Sequence, residues 1–260
     1  MTEEKEPKKH VSFSEIKVFD ECAYRWYLIY DQGHRQGDTV HTIFGSLIHK
    51  SIDDKKRGQN NTWISFGKSF LRWAAKNTDE KSFAKHTPKE WVLQGFKIYH
   101  EVFDWLEETF PKYELVQSEL QLFEKIENID LCFKGFIDLV IKDKDGFYHV
   151  IDFKTTDWGW DAEKKSDTKK LYQVILYKKF FCQKYQIDPK LVKTHYVLLK
   201  RNPSKNSPRS ELFTISSGEK KVENATEWLQ DSALSISKKI KMKNRYACKW
   251  CPFKNTKLCP

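Results

Sequence analysis

Three side chains carry the most legible chemistry in this chain: two carboxylates and an ammonium, Asp138, Asp152 and Lys154. They sit in FKGFIDLVIKDKDGFYHVIDFKTT, residues 133–156, where two apolar runs flank Lys142-Asp143-Lys144-Asp145-Gly146. An Asp/Gly turn between such runs predicts a β-hairpin. Pairing about position 145 sets Asp138 opposite Asp152 across the ladder, with Lys154 two residues on and on the same face. Carboxylates that close repel unless a cation lies between them. A hard divalent ion such as Mg²⁺ takes oxygen ligands and keeps some of its water. A lysine beside it can orient an attacking water or steady charge on a phosphate. The plainer reading is an exposed hairpin face with a surface ion pair. Phe136, Ile137, Leu139, Val140, Val150, Ile151 and Phe153 weigh against it, because they imply strands covered on both faces. Buried carboxylates need a partner or a metal.

Other residues are placed to join such a site. Gly45 and His49 are four apart on one face of a helix expected from about Thr42 to Lys56, so the small residue leaves space beside the imidazole. Taken alone, a histidine on an apolar helix face is more often a satisfied core residue. Gln173 and Tyr177 share a face in the same way on a helix expected from about Lys169 to Tyr185. Glu119 lies in an alternating stretch, Tyr113 to Ile126, and is equally a metal-site acid or a solvated strand residue. Trp158 and Trp160 follow the hairpin and would either stack on bases or cap the core. RNPSKNSPR, with Arg201, Lys205 and Arg209, is a candidate phosphate-binding loop, although charged loops are usually only solvated.

These residues need a scaffold. Ser12-Phe13-Ser14-Glu15 has capping-box spacing and opens a helix to about Tyr30. Residues 62–77 and 88–110 read as two further helices, which would pack on the sheet or form a lid. Thr194 to Arg201 and Glu211 to Ile215 read as a strand pair. A last helix runs from about Gly218 to Lys243, and its closing lysines suit a helix C-terminus.

The chain closes on Cys248-Lys249-Trp250-Cys251, with Cys259 after seven further residues. One CxxC knuckle and a lone cysteine make three ligands, and Cys22 is the candidate fourth. A zinc ribbon usually supplies two such knuckles. One knuckle plus two isolated cysteines fits a [4Fe–4S] cluster at least as well. Cys132 and Cys182 lie in apolar contexts and read as core residues.

Gly135-Phe136-Ile137-Asp138 followed by Asp152-Phe153-Lys154 resembles the PD-(D/E)XK nuclease superfamily, and more narrowly its RecB-like branch with the CRISPR-associated RecB-like exonucleases and AddB-type nucleases. Five elements stand in that family's order: Cys22, GxxxH, GxxD–DxK, QxxxY and the C-terminal Cys trio. The resemblance implies an α/β fold, a restriction-endonuclease-like central mixed sheet flanked by helices, with the chain ends clasped by a metal cluster. It implies that His49, Asp138, Asp152 and the Phe153 carbonyl hold Mg²⁺ or Mn²⁺, that Lys154 positions the water, and that Glu119, Gln173 and Tyr177 line the site. It also implies a [4Fe–4S] cluster, with Zn²⁺ the alternative, on Cys22, Cys248, Cys251 and Cys259. The activity it implies is phosphodiester hydrolysis from the ends of single-stranded DNA, in recombination, repair or phage DNA metabolism. Two rivals are a poorly cleaving DNA-binding module of a recombination or CRISPR-adaptation complex, and a nuclease directed at RNA.

Composition agrees with a nucleic-acid partner. Of 260 residues, Lys and Arg number 46 against 36 Asp and Glu, a net charge of +10, which favours a polyanion. Aromatics at 15% allow a sizeable core. No apolar run approaches a membrane span and the N-terminus has no apolar signal core, so the expectation is a cytoplasmic protein whose cysteines bind metal. The expected organisation is a disordered tail at 1–10, a helical region at 11–112, the nuclease core at 113–216 and a C-terminal helix with the Cys-rich clasp at 217–260.

Overall fold

A six-stranded mixed sheet is built around the hairpin. The structure is a computed structural model that describes residues 9–34 and 37–260; most of the expected tail, 1–8, lies outside the described residues. The strands are β1 (His10–Ser12), β2 (Glu114–Lys125), β3 (Cys132–Lys142), β4 (Tyr148–Thr156), β5 (Val192–Lys200) and β6 (Ser210–Ile215). Their order is β1-β3-β4-β5-β6, with β2 also paired to β3. The β1–β3 and β4–β5 pairs are parallel and the others antiparallel. His10 therefore belongs to the sheet and not to a tail.

The hairpin forms in the expected register, with Leu139 opposite Ile151 and Lys142 opposite Tyr148. Asp143 closes the turn by accepting the N–H groups of Asp145 (3.0 Å) and Phe147 (2.9 Å), and Gly146 takes a left-handed φ of +87°. The β4 ladder covers only residues 139–142 of β3, and β1 takes residues 132–134. Residues 135–138 are thus left between β1 and β4, and the strands part just where Asp138 and Asp152 stand.

Two helical layers cover the sheet. On one face lie α1 (Phe13–Glu21), α2 (Ala23–Trp26), α7 (Thr168–Tyr185) and α8 (Glu219–Ser237), which bury Ile16, Trp26, Phe180 and Leu229 with Phe133, Ile137 and Val140. On the other lie α3 (Val40–Lys56), α4 (Thr62–Lys76) and α5 (Pro88–Thr109). Their aromatic residues Phe44, Phe66, Phe70 and Trp91 pack edge-on and offset against one another, over Leu139, Ile141, Ile151 and Phe153. Of the 62–110 helices, α5 packs on β5 and β6, and α4 packs on α3 and α5. A short α6 (Ala162–Ser166) was not foreseen.

Two helix expectations need correction. The first helix does not continue to Tyr30: Cys22 is extended (φ −165°, ψ 108°) between α1 and α2, and a π-helical turn, Tyr27–Asp31, follows. The last helix stops at Ser237, and Lys239 takes a left-handed φ of +52°. Lys239, Lys241 and Lys243 therefore lie beyond the helix terminus. Lys239 pairs with Asp31 (3.5 Å), while Lys241 and Lys243 sit over the rings of Tyr27 and Tyr24.

Candidate active site

Three carboxylates occupy one level of three neighbouring strands. On β2 and β3 the regular pairing runs from Leu120↔Ile137 to Ser118↔Leu139 and omits the rung of Glu119 and Asp138. Glu119 takes a left-handed φ of +47° there, a conformation an L-residue adopts only when its surroundings hold it. On β3 the in–out alternation slips at the same point: Ile137 and Val140 enter the α7-side core, Leu139 and Ile141 the other. The register is the same on both sides of this rung, so both strands distort together there, and the register shift of the pair lies between Leu115 and Gln117. Asp152 is the next rung of the hairpin, past the last paired residues.

The interactions among these groups are specific. Asp138 Oδ2 accepts the Phe153 N–H at 2.6 Å, and its Oδ1 lies 3.4 Å from His49 Nδ1. Lys154 Nζ is 2.7 Å from Asp152 Oδ2, but off the line of a hydrogen bond, so that buried oxygen is paired in charge without being hydrogen-bonded. Burial pushes the Asp152 carboxyl up, Lys154 offsets this only in part and Asp138 adds to it, so that Asp152 is raised to about 6. Burial and the charges of Asp138 and Asp53 push Glu119 up to about 7. Burial also opposes the charge of Asp138, but His49, Lys154 and the Phe153 N–H outweigh it and hold Asp138 below the usual carboxylate range. For His49, burial is outweighed by Asp138, and its pKa is raised. Acids kept protonated by burial and like charge are acids that a divalent cation would ionise.

Small residues allow this closeness. A Cβ on Gly45 would stand 3.0 Å from Thr155 Oγ1, so the space beside α3 admits β4. A Cβ on Gly135 would stand 2.8 Å from the Tyr177 ring. Gln173 Nε2 donates to Tyr177 OH at 3.0 Å, and burial next to Asp152 raises the Tyr177 pKa far above its ordinary value. Lys154 Nζ lies over the Tyr196 ring, whose hydroxyl donates to the Lys170 carbonyl at 2.7 Å. The donor set, carboxylates and one imidazole, suits Mg²⁺ or Mn²⁺. Among the described residues no three His, Cys, Asp or Glu side chains are grouped so as to hold a metal ion; His49, Lys154 and the Phe153 N–H hold the carboxylates instead.

The comparisons with known proteins bear on the same region. The family model of the PD-(D/E)XK nuclease superfamily matches residues 10–260. This chain belongs to the PD-(D/E)XK nuclease superfamily. Among solved structures, a Eubacterium rectale protein provisionally designated an exonuclease superposes with a TM-score of 0.61 at 12% identity, over 95% of this chain and 89% of that one. That likeness supports the α/β fold with a mixed central sheet. The protein SSO0001 is more distant, with a TM-score of 0.39 and 16% identity over 86% of this chain and 96% of its own. No curated protein sequence matches. The superfamily assignment makes this chain a nuclease, with DNA as the substrate and Mg²⁺ or Mn²⁺ as the metal typical of the family.

Some expected nucleic-acid contacts in this PD-(D/E)XK nuclease are structural instead. Arg201 is buried: its guanidinium lies 3.9 Å from the Trp91 ring centre, pairs with Asp157 (3.1 Å) and donates to Gln94 (3.1 Å). Arg209 pairs with Glu101 and donates to the Lys200 and Arg201 carbonyls at 2.9 and 2.6 Å, which fixes the β5–β6 loop. Trp160 is nine-tenths buried, edge-on to Tyr196 at 5.1 Å. Of these groups, Trp158 (74% exposed) and Lys205 at the loop tip face solvent. Arg201→Ala is expected to lower stability by about 3 kcal/mol, because it strands buried polar partners, and to leave the salt dependence of DNA binding unchanged. Urea unfolding beside a salt titration checks this; a shallower salt slope at unchanged stability would restore Arg201 as a phosphate contact.

Sequence reasoning missed the support beneath Glu119. Asp53 Oδ1 accepts from Ser118 Oγ at 2.5 Å and pairs with Arg57 Nε at 2.7 Å. Asp53 is four residues after His49 on α3, a spacing that would have placed it on the same face.

The four cysteines of the expected clasp, Cys22, Cys248, Cys251 and Cys259, line one cavity of about 360 Å³ with Arg25, Lys243, Arg245 and Lys254. The two ends of the chain meet there. Tyr24 N–H donates to the Met242 carbonyl (2.9 Å), Tyr24 OH to the Leu258 carbonyl (3.1 Å), and the Asn244 N–H to Cys22 Sγ (3.4 Å). Cys182 is buried and Cys132 half-buried, both apart from that cavity.

Among the described residues no helix is long and apolar enough to cross a membrane.

Proposed function

We propose that the chain is a RecB-like deoxyribonuclease that hydrolyses single-stranded DNA from its ends. The observation that carries this reading is the convergence of Glu119, Asp138, Asp152, His49 and Lys154 where β2, β3 and β4 lose their pairing. Asp138, Asp152, His49 and the Phe153 carbonyl hold the metal, and Glu119 adds a further acid. A bound Mg²⁺ or Mn²⁺ supplies positive charge for the transferring phosphoryl oxygens and acidifies a water. Lys154, held beside Asp152 and over Tyr196, would orient the attacking water or steady charge on the phosphate. The Gln173–Tyr177 pair walls the α7 side of the cleft. Exposed Trp158, directly after β4, offers a stacking face that accepts any base.

We further propose that Cys22, Cys248, Cys251 and Cys259 hold a [4Fe–4S] cluster that clasps the ends of the chain. The donor set is the one such a cluster takes. The four thiols line one cavity, although among the described residues no three His, Cys, Asp or Glu side chains are grouped so as to hold a metal ion. Partners in recombination or CRISPR adaptation stay with the resemblance alone.

Cleavage of 5′- and 3′-labelled single and double strands with Mg²⁺, Mn²⁺ or EDTA tests the nuclease reading. Metal-dependent release of nucleotides from single-strand ends is expected, and no cleavage with either metal refutes it.

Metal affinity should follow pH. Glu119 and Asp152 titrate near 7 and 6, above their unfolded values. Stability from a raised acid is fully present below the unfolded pKa and is lost as pH rises through the folded one. The metal-free protein therefore loses that contribution between about pH 4 and 7, whereas Mn²⁺, which needs the ionised acids, binds better over the same range. Mn²⁺ is expected to raise the melting temperature clearly more at pH 8 than at pH 5.5, and His49→Ala to diminish the shift at pH 8. Equal shifts at both pH values in the wild type would contradict the assignment of these acids to the metal.

A further inference from the structure

A second cavity, of about 600 Å³, opens beside Lys154 and Thr155 between α1, α2, β4, α6 and α7. Its lining carries five cations, Lys17, Arg25, Lys154, Lys164 and Lys170, above the ring of Trp160, and one acid, Glu21. Glu21 pairs with Arg25 and reaches Lys17 at 4.0 Å, Asp167 pairs with Lys170 (3.0 Å) and Asp152 with Lys154 (2.7 Å). Asp161, whose charge reaches Lys164, is a fourth, so five cations against four carboxylates leave an excess of one positive charge. Asp161, near Lys164, is engaged in capping α6 through the Lys164 N–H at 2.7 Å. Lys164 and Lys170 both lie over the Trp160 ring, and Lys170 and Lys17 depress the Lys164 pKa further after burial has lowered it. Arg25 Nε is buried with no hydrogen-bond partner. Cations crowded together with a donor to spare mark an anion site.

We propose that this cavity seats the terminal phosphate of a nucleic-acid strand, so that ends bearing a phosphate monoester are engaged in preference to hydroxyl ends. A monoester, with about −1.5 to −2 charges at pH 7 and three terminal oxygens, answers five cations and the spare Arg25 Nε donor more fully than the single charge of an internal phosphodiester. The site adjoins the catalytic lysine, so a phosphate held there fixes how far the strand end lies from the cleft. The proposal rests on the nuclease reading for its substrate, but its binding test does not require cleavage.

Fluorescein-labelled single-stranded oligonucleotides with a 5′-phosphate, a 3′-phosphate or two hydroxyl ends are titrated with the full-length protein in EDTA, and their cleavage is then followed with Mn²⁺. One phosphorylated end is expected to bind about tenfold tighter than hydroxyl ends, and the arm that does so identifies which end is held. Lys17→Ala with Lys164→Ala should bring the ratio to about one, and the doubly charge-preserving Lys17→Arg with Lys164→Arg should restore it. Melting curves accompany each variant, and Lys164→Ala alone, on the exposed α6, should lower the ratio in the same direction. Equal binding of all three oligonucleotides by the wild type overturns the proposal, as does a preference that survives in the double alanine variant. A preference in EDTA without any cleavage in Mn²⁺ upholds the cavity and refutes the nuclease reading.

Discussion

Asp138→Ala, Asp152→Ala and Lys154→Ala are each expected to slow cleavage by about 10²–10³-fold or more, with DNA affinity close to that of the wild type. Affinity is expected from many basic groups spread over the chain, whereas in the proposed site these three would act at one phosphate. The structure separates their roles further. Asp138 is anchored on the Phe153 N–H and His49, so its loss frees two buried partners and should also lower stability. Asp152 is the reverse case, a buried acid raised to about 6. Its folded pKa exceeds the unfolded one, so it opposes folding above that range, and metal-free Asp152→Asn should melt no lower than the wild type at pH 8. An inactive variant that keeps or gains stability is the signature of a residue held for chemistry. Rapid cleavage by Lys154→Ala, measured in single turnover with saturating Mn²⁺, would remove the lysine from the mechanism.

Much of this site could be read beforehand because its spacing is local. The turn at Asp143–Gly146 sets the hairpin register, and the register alone puts Asp152 one rung beyond Ile151 and across from Asp138. Four-residue helical spacing set His49 on one face with Gly45 and Gln173 with Tyr177, while their part in the site came from the family resemblance. Glu119 was visible as an acid in a strand, but its left-handed backbone arises from the omitted rung between two strands, which no local pattern encodes. The slip in alternation at Asp138 was hidden for the same reason.

The remaining misreadings involve residues whose role depends on distant partners. Arg201 sits in a loop that looks solvated, yet Trp91 and Gln94, from a helix more than a hundred residues away, surround its guanidinium. Trp160 has Tyr196 and Phe213 as neighbours. The break at Cys22 lies inside a good amphipathic stripe, and the chain there is tied to Met242 and Asn244 of the other terminus. β1 is three residues long, too short to show a period.

Anaerobically purified protein is expected to be brown and to carry about four irons per chain. The meeting of the chain ends at one cavity is what makes the forecast specific. Cys22→Ala would remove the proposed ligand that joins the N-terminal helices to the C-terminal knuckle, and Cys248→Ala, Cys251→Ala or Cys259→Ala would do the same from the other side. Each should lose iron and fall in stability. A cross-link between Cys22 and Cys248 spans a very long loop, and by analogy with a disulfide, closing a loop longer than about 100 residues contributes roughly 5 kcal/mol in the chain-entropy model. The hydrogen bonds of Tyr24 and Asn244 across the same junction persist without iron, so the measured loss should fall short of that figure. Cys132→Ala and Cys182→Ala should leave iron content unchanged and cost only the packing of a small side chain. Iron analysis and melting curves on all six variants decide between the readings. One zinc per colourless chain would keep the clasp and replace the cluster. Full iron in Cys22→Ala would leave the ends joined by hydrogen bonds alone, with the Cys22 thiol accepting the Asn244 N–H and donating to the Met242 carbonyl.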